Sequence, residues 1–284
     1  MKYRIIERYC SHFKVSEMCR ILNVSRSGYY AFGKRPESER SKRQKYVLEK
    51  IKSIHMESHE IYGSPTITAA LHNEGVPVSK GMVSRLMKKH GIRSRIRRKY
   101  KATTDSNHNL PVAENILNRN FIADERNRKW VSDITYIWTD EGWLYLAGIL
   151  DTFDGAIVGW SMDSRMTKSL VISALNEACT RRNPESGLLL HSDRGSQYCS
   201  HEYQKIIEKR NFICSMSRKG NCWDNAPMES FWGKLKTEWL YWKRFRTRRE
   251  AKQAVFEYIE LFYNTRRLRS ANGYVPPLKL GIAA

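Results

Sequence analysis

The run from Lys129 to Asp151 decides the fold: Lys129-Trp-Val-Ser-Asp-Ile-Thr-Tyr-Ile-Trp138, then Thr139-Asp-Glu-Gly142, then Trp143-Leu-Tyr-Leu-Ala-Gly-Ile-Leu-Asp151. Its Trp, Val, Ile, Thr and Tyr content reads as two strands, with Thr139–Gly142 as the turn between them. Asp154-Gly155 is a second turn and Ala156–Met162 a third strand, which makes an antiparallel meander. Downstream the period lengthens. Leu170, Val171, Ala174, Leu175 and Ala178 share one face of a helix over Thr167–Thr180. A short apolar strand, Gly187–His191, runs into Asp193; a helix over His201–Arg210 and a strand over Phe212–Met216 follow. The polar loop Ser217–Asn225 leads to a long helix from Ala226, with Asn225 as its cap and Pro227 in its first turn. A last amphipathic helix, Thr247–Tyr263, carries Ala251, Ala254, Val255, Tyr258, Ile259 and Phe262 as a stripe suited to packing on this domain.

The order βββ-α-β-α-β-α predicts an α/β fold, a mixed five-stranded sheet with helices on its faces, of ribonuclease-H-like topology. Upstream the chain is helical and basic. Residues 1–110 carry 24 Lys and Arg against 9 Asp and Glu, whereas residues 111–284 carry 26 against 20. The net charge of +21 attracts polyanions, nucleic acid first among them.

Val15–Tyr30 reads as a helix-turn-helix capped by Ser16 and Ser25, with Met18, Ile21, Leu22 and Val24 between its helices. Arg26 and Ser27 then stand at the DNA-facing start of the second helix. Gly33–Lys45 reads as a linker or a solvated helix start. Gly63-Ser64-Pro65 starts a helix with Ser64 at its cap, ending at Glu74-Gly75. Ser79 caps another, which carries Met82, Val83, Leu86 and Met87 and stops at Gly91. The cations Arg93, Arg95, Arg97, Arg98, Lys99 and Lys101, with Tyr100 among them, suit a phosphate backbone. The divisions are therefore residues 1–44 (a helix-turn-helix region), 45–105 (a second helical DNA-binding domain), 106–120 (a linker), 121–245 (the α/β core) and 246–284 (an amphipathic helix and tail).

Six cysteines without a C-x-x-C pair, and no secretory segment, read as reduced thiols in a cytoplasmic protein. No apolar run reaches the roughly 20 residues of a membrane span. His55 and His59 form H-x-x-x-H, but no cysteines stand at a spacing that would complete a zinc site.

Three acids fall at particular places on this map. Asp133 is a charge inside the first strand, Asp193 follows the fourth, and Glu229 lies in the first turn of the long helix. Asp224, in the loop, and Glu238, beyond two helical turns, compete less well for the third place. In this topology the three converge, and clustered carboxylates call for hard cations, Mg²⁺ or in its place Mn²⁺. Two ions roughly 4 Å apart clamp the attacking and leaving oxygens of a phosphodiester displacement. Lys236, seven residues after Glu229 on the same helical face, is placed to hold the phosphate; Arg218 and Lys219 in the loop are further phosphate candidates.

These residues resemble the integrase-core transposase encoded by the second reading frame of frameshifting bacterial insertion sequences, in the DDE transposase and retroviral integrase superfamily. The matching segments are Tyr62-Gly-Ser-Pro, Lys129-Trp-Val-Ser-Asp133-Ile-Thr-Tyr, Leu144-Tyr-Leu-Ala and Ile157-Val-Gly-Trp160. They continue with His191-Ser-Asp193-Arg-Gly-Ser-Gln-Tyr198, Met216-Ser-Arg-Lys-Gly-Asn-Cys-Trp-Asp-Asn-Ala, Glu229-Ser-Phe-Trp-Gly-Lys-Leu-Lys236 and Tyr263-Asn-Thr-Arg-Arg. The 35 residues between Asp193 and Glu229 are the family's spacing. The resemblance implies Mg²⁺-dependent cleavage at element ends and strand transfer by the 3′-hydroxyl. It implies binding to terminal inverted repeats and target DNA, a homo-oligomer on DNA, and fusion to or partnership with a first-frame product. Arg269 and Asn272 depart from it, standing where a His and an apolar residue are usual. The competing classes are a hydrolytic nuclease of the same fold and a non-catalytic DNA-binding regulator.

Overall fold

The computed structural model describes residues 2–95 and 112–280. Arg97, Arg98, Lys99 and Lys101 lie outside the described residues. A five-stranded mixed sheet runs β3-β2-β1-β4-β5. Its strands are β1 Lys129–Thr139, β2 Gly142–Asp151, β3 Ile157–Asp163, β4 Leu189–Ser192 and β5 Ile213–Met216. β1, β2 and β3 form the antiparallel meander read from the sequence, and β4 and β5 join it in parallel.

Side-chain alternation splits the sheet into two faces. Trp130, Ala147, Ile149, Ala156 and Val158 point to one, with Leu170, Ala174 and Leu175 of α7 (Lys168–Arg182) and Tyr203 and Ile207 of α8 (His201–Lys209). Val131, Ile137, Leu144, Leu146 and Leu150 point to the other. The β2–β3 register shifts between Ile149 and Leu150, whose partners are Gly159 and Ile157, so the extra residue falls on β3 at Val158. The second face packs on Phe231 and Trp232 of α9 (Ala226–Lys234) and on Ala254 and Val255 of α10 (Arg248–Phe256). The long helix from Ala226 is not uniform: it turns π-helical over Leu235–Trp239, and α10 does the same over Glu257–Tyr263.

In front lie α1 (Lys2–Tyr9), α2 (Val15–Ile21), α3 (Arg26–Lys34), α4 (Glu39–Glu57), α5 (Ser64–Asn73) and α6 (Lys80–Lys89). The first three form a small unit around Ile6, Met18 and Cys19. Ser25 caps α3 by accepting from the Gly28 N–H at 3.0 Å, and Ser79 caps α6. Ser16 does not cap α2, which starts one residue earlier with Lys14 at its cap. Ile21 is 76% exposed; Cys19 fills the place expected of it. Gly63, not Ser64, is the cap of α5. Gly33–Lys45 is largely a solvated helix start, since Ser38 caps α4. The boundary at 44/45 therefore falls inside a helix. Residues 112–120 are not a free linker: Leu117 is buried and its N–H donates to Ser215 Oγ at 3.0 Å.

The α4–α6 unit shares one apolar cluster with the second sheet face. His59 sits edge-on to Trp239 and Phe262, with ring centroids 4.7 and 5.6 Å away. The Tyr62 hydroxyl donates to Arg266 O at 3.2 Å and accepts from the Leu268 N–H at 2.7 Å. Among the described residues no helix is long and apolar enough to cross a membrane.

Candidate active site

The pairing of β1 with β4 stops after three rungs, Lys129↔Leu189, Trp130↔Leu190 and Val131↔His191. Continued two residues, that register sets Asp133 opposite Asp193, both just beyond the last rung. Neighbouring strands are about 4.8 Å apart, so two carboxylates hang together where β4 ends and β1 runs on beyond it. Glu229 arrives from α9. The α9 N-terminus is fixed to β1 by Asn225, whose Nδ2 donates to Ser132 O at 2.9 Å. Asn225 is the residue before α9, but its side chain makes no cap; it is spent on this tie.

The proximity of the three acids registers in Asp133. Burial, followed by the charge of Asp193, pushes its carboxyl up to about 8, and Glu229 adds to the rise. The Ile134 and Trp232 N–H groups oppose this, at 2.8 Å to Oδ1 and 3.0 Å to Oδ2. Trp232 can lie against the sheet only because Gly148, the register partner of Asp133 on β2, has no side chain. A Cβ there would stand 2.8 Å from the indole. Asp193 is steadied by the Gly195 N–H, 2.8 Å from its Oδ1.

Beneath the acids, the buried Tyr198 hydroxyl lies 3.0 Å from Ser132 Oγ, which donates to Gly148 O. His191 bridges β4 to the end of β5 through Ser215 and Ser217 at 2.9 and 3.1 Å. Burial lowers it to about 4, so it is neutral. The sequence alone gives Trp232 and Gly148 no role beside the acids and offers Asn225 only as a helix cap.

Three oxygen-donor acids, two of which raise the proton affinity of Asp133, suit a divalent cation, which would relieve the repulsion. As placed, they do not form a closed cage: among the described residues no group of three His, Cys, Asp or Glu is positioned to hold an ion. Three of the aspartate oxygens instead accept from the Ile134, Trp232 and Gly195 N–H groups.

The competing acids are tied up elsewhere. Asp224 is buried against Arg119 and Arg218 at 2.8 and 2.7 Å, and the paired Arg218 side chain holds its carboxyl far below the usual range. Glu238 is buried against Arg267 and accepts from the Tyr258 hydroxyl at 2.8 Å. The same pairing commits Arg218, through Nε and a terminal nitrogen, to a carboxylate rather than to phosphate.

Lys236 is not two regular turns along from Glu229, because the π-helical turn intervenes. Its Nζ nevertheless lies 5.0 Å over the Tyr136 ring and feels the charge of Asp133, while burial lowers its proton affinity.

Sequence comparison meets this geometry on the same residues. Integrase core domain models match residues 123–222 and 211–277, and an HTH-like domain model matches 42–100. The transposase InsF for insertion sequence IS3A of Escherichia coli K12 is 39% identical over 98% of this chain and 97% of its own length. The chain belongs to the insertion-sequence transposase family. Its enzymatic class is DDE-type polynucleotidyl transfer. A 31 kDa protein of insertion element IS600 in Shigella sonnei is 47% identical over 92% of this chain and 96% of its own. Among solved structures, the HTLV-2 integrase catalytic core domain in complex with magnesium is 19% identical with a TM-score of 0.43. It covers 54% of this chain and 95% of its own, a likeness too distant to argue from.

The transposase's departures at Arg269 and Asn272 belong together. Arg269 donates to Asn272 Oδ1 at 2.9 Å, and both donate to Asp154 O in the β2–β3 turn. Gly155 in that turn leaves room for the Arg269 guanidinium. Of the expected DNA contacts, Arg26 and Ser27 are exposed in the first turn of α3 and Arg93 is exposed after α6. Arg95 is stacked 4.3 Å over Trp242, joining the front module to the core. Lys219 lies in the loop before α9.

Proposed function

We propose that Asp133, Asp193 and Glu229 are the catalytic carboxylates of this transposase, and that they act on the ends of its insertion sequence. They would hold two Mg²⁺ ions, with Mn²⁺ as a substitute. When bound, the ions supply charge neutralisation and Lewis acidity for hydrolysis at the element end and for attack by the freed 3′-hydroxyl on target DNA. The observation carrying this reading is the matched register of Asp133 and Asp193 beyond the last β1–β4 rung, with Glu229 near enough to raise Asp133 further.

The chain's own groups then have separate tasks. Trp232 and Gly148 hold the Asp133 carboxylate, the Gly195 N–H holds Asp193, and Asn225 ties the Glu229 helix to β1. Lys236 neutralises the substrate phosphate beside Asp133, and Lys219 does so from the loop. Arg218 is left to fold that loop around Asp224. The helical modules grip the terminal inverted repeats through Arg26, Ser27 and Arg93 and the cations that follow. A homo-oligomer brings two ends together, joined to or partnered by the first-frame product.

The test uses the full chain with a pre-cleaved element end and Mg²⁺. Joined products are expected from the wild type. They should fall at least a hundredfold in Asp133→Asn, Asp193→Asn and Glu229→Gln, while binding to the same DNA persists. Hydrolysis without joining would replace the proposal with a nuclease. Undiminished function in all three variants would leave only a DNA-binding regulator.

A further inference from the structure

An aromatic cluster stands at the far end of β1 and the start of β2. Trp138 and Trp143 are register partners across β1 and β2, beside the Thr139–Gly142 turn. Their rings meet edge to face with centroids 4.7 Å apart, and Tyr136 adds a third ring 5.0 Å from Trp143. The rings are not buried: Trp138 is 58% and Trp143 43% exposed. They point away from the sheet face that carries Val131, Asp133 and Ile137, since even and odd residues of β1 alternate.

Cations accompany them. Lys236 lies over Tyr136, Arg248 donates to Trp143 O at 3.1 Å, and the largely exposed Arg244 flanks the turn. Asp140 and Glu141 in the turn are each engaged by one of these arginines, Asp140 by the Arg244 side chain and Glu141 by the Arg248 N–H. The cluster lies on the opposite sheet face from the acidic centre but along the same strand. β1 advances about 3.3 Å per residue, so Trp138 stands about 16 Å from Asp133. Lys236, whose Nζ lies 5.0 Å over the Tyr136 ring, also feels the charge of Asp133.

Exposed aromatic rings beside cations bind single-stranded nucleic acid, because every base offers a face to stack on and every phosphate a charge to pair with. The core of a protein–protein interface is instead depleted in charged residues. We propose that Tyr136, Trp143 and Trp138 form a stacking platform for two or three unpaired DNA bases of a strand that has passed from the carboxylates to the opposite face of β1. Lys236 holds the strand where it leaves the carboxylates. This inference rests on the transposase reading above and adds to it a site for unpaired DNA.

The experiment measures fluorescence anisotropy of labelled DNA with the full chain in EDTA. One probe is a blunt duplex; the other is the same duplex with a three-nucleotide single-stranded tail. The wild type should bind the tailed probe about tenfold more tightly than the blunt one, the scale of one stacked base. Trp138→Ala with Trp143→Ala should abolish that preference, while blunt-duplex affinity stays within about twofold. Trp138→Phe with Trp143→Phe should restore it. A preference that survives the alanine pair, or no preference in a wild type that binds the blunt duplex, overturns the platform alone. An alanine pair that only changes the sedimenting mass reassigns the patch to self-association. A wild type that binds neither probe overturns the transposase reading as well.

Discussion

Gly148→Ala tests the link between packing and chemistry at the carboxylates. The added Cβ would lie 2.8 Å from Trp232 Cη2, 3.2 Å from Cζ2 and 3.3 Å from Met228 Cε. Carbon atoms pack at about 3.5–4.0 Å, so the indole has to retreat by roughly 0.7–1 Å. Phe231, 4.9 Å away between centroids, backs it, and Trp232 is only 5% exposed, so there is little room. Overpacking of this kind costs about 1–3 kcal/mol, a melting-temperature loss of roughly 2–10 °C in a chain this size. The same retreat stretches the 3.0 Å bond from Trp232 Nε1 to Asp133 beyond hydrogen-bonding distance. A bond to a charged group is worth about 1.5–3 kcal/mol, so strand transfer should fall by about 10- to 150-fold. Gly233→Ala is the control. It sits one residue along α9 with nothing within 4 Å of its added Cβ, and should be neutral or stabilising. Thermal melting and the joining assay are run on both variants. Gly148→Ala with wild-type melting and wild-type joining would refute the argument. So would full joining by Trp232→Phe, which keeps a ring but loses the N–H.

Two further predictions concern stability. Arg267→Ala strands the Glu238 carboxylate in the core, and urea denaturation should show a loss of about 3–5 kcal/mol; a loss below about 1 kcal/mol would mean that the pair is solvated. His191 is held to about 4 in the fold against 6.5 in its ordinary state. Between those values the unfolded chain binds the extra proton, so the contribution is complete above pH 6.5 and is lost as pH falls towards 4. The loss is at most about 3 kcal/mol, and His191→Gln should flatten that slope in urea titrations at pH 7 and 4.5.

The sheet was legible because its strands have strong period and composition and because turn residues mark their ends. Asp133 was legible as a charge among β-formers, and Asp193 and Glu229 by their places after a strand and in a first helical turn. What supports them was not. Gly148 reads as one more small residue on a strand until the register with Asp133 is known, and Trp232 reads as an ordinary core ring. Asn225 reads as a cap because Asn is a good one; the nearby Ser132 carbonyl competed for its amide and won. Arg218 and Asp224, six residues apart across a loop, carry no periodic signal of their pairing. The π-helical turn at Leu235–Trp239 breaks the arithmetic of turns, and with it the placing of Lys236, which still reaches Asp133's neighbourhood because its stem is long. Ser16 lost the cap of α2 because the helix begins one residue earlier, at Val15.

The Tyr62 hydroxyl joins partners 204 and 206 residues away along the chain. A ribosome adding about 5–20 residues per second therefore makes Tyr62 roughly 10–40 s before the residues it will bind. Through that interval the α4–α6 unit has nothing on which to anchor this hydroxyl, or His59 between its two aromatic partners. The joint between the helical module and the sheet domain therefore closes only after all five strands have been made. Until that joint closes, these contacts cannot fix the direction of α4–α6 relative to the carboxylates.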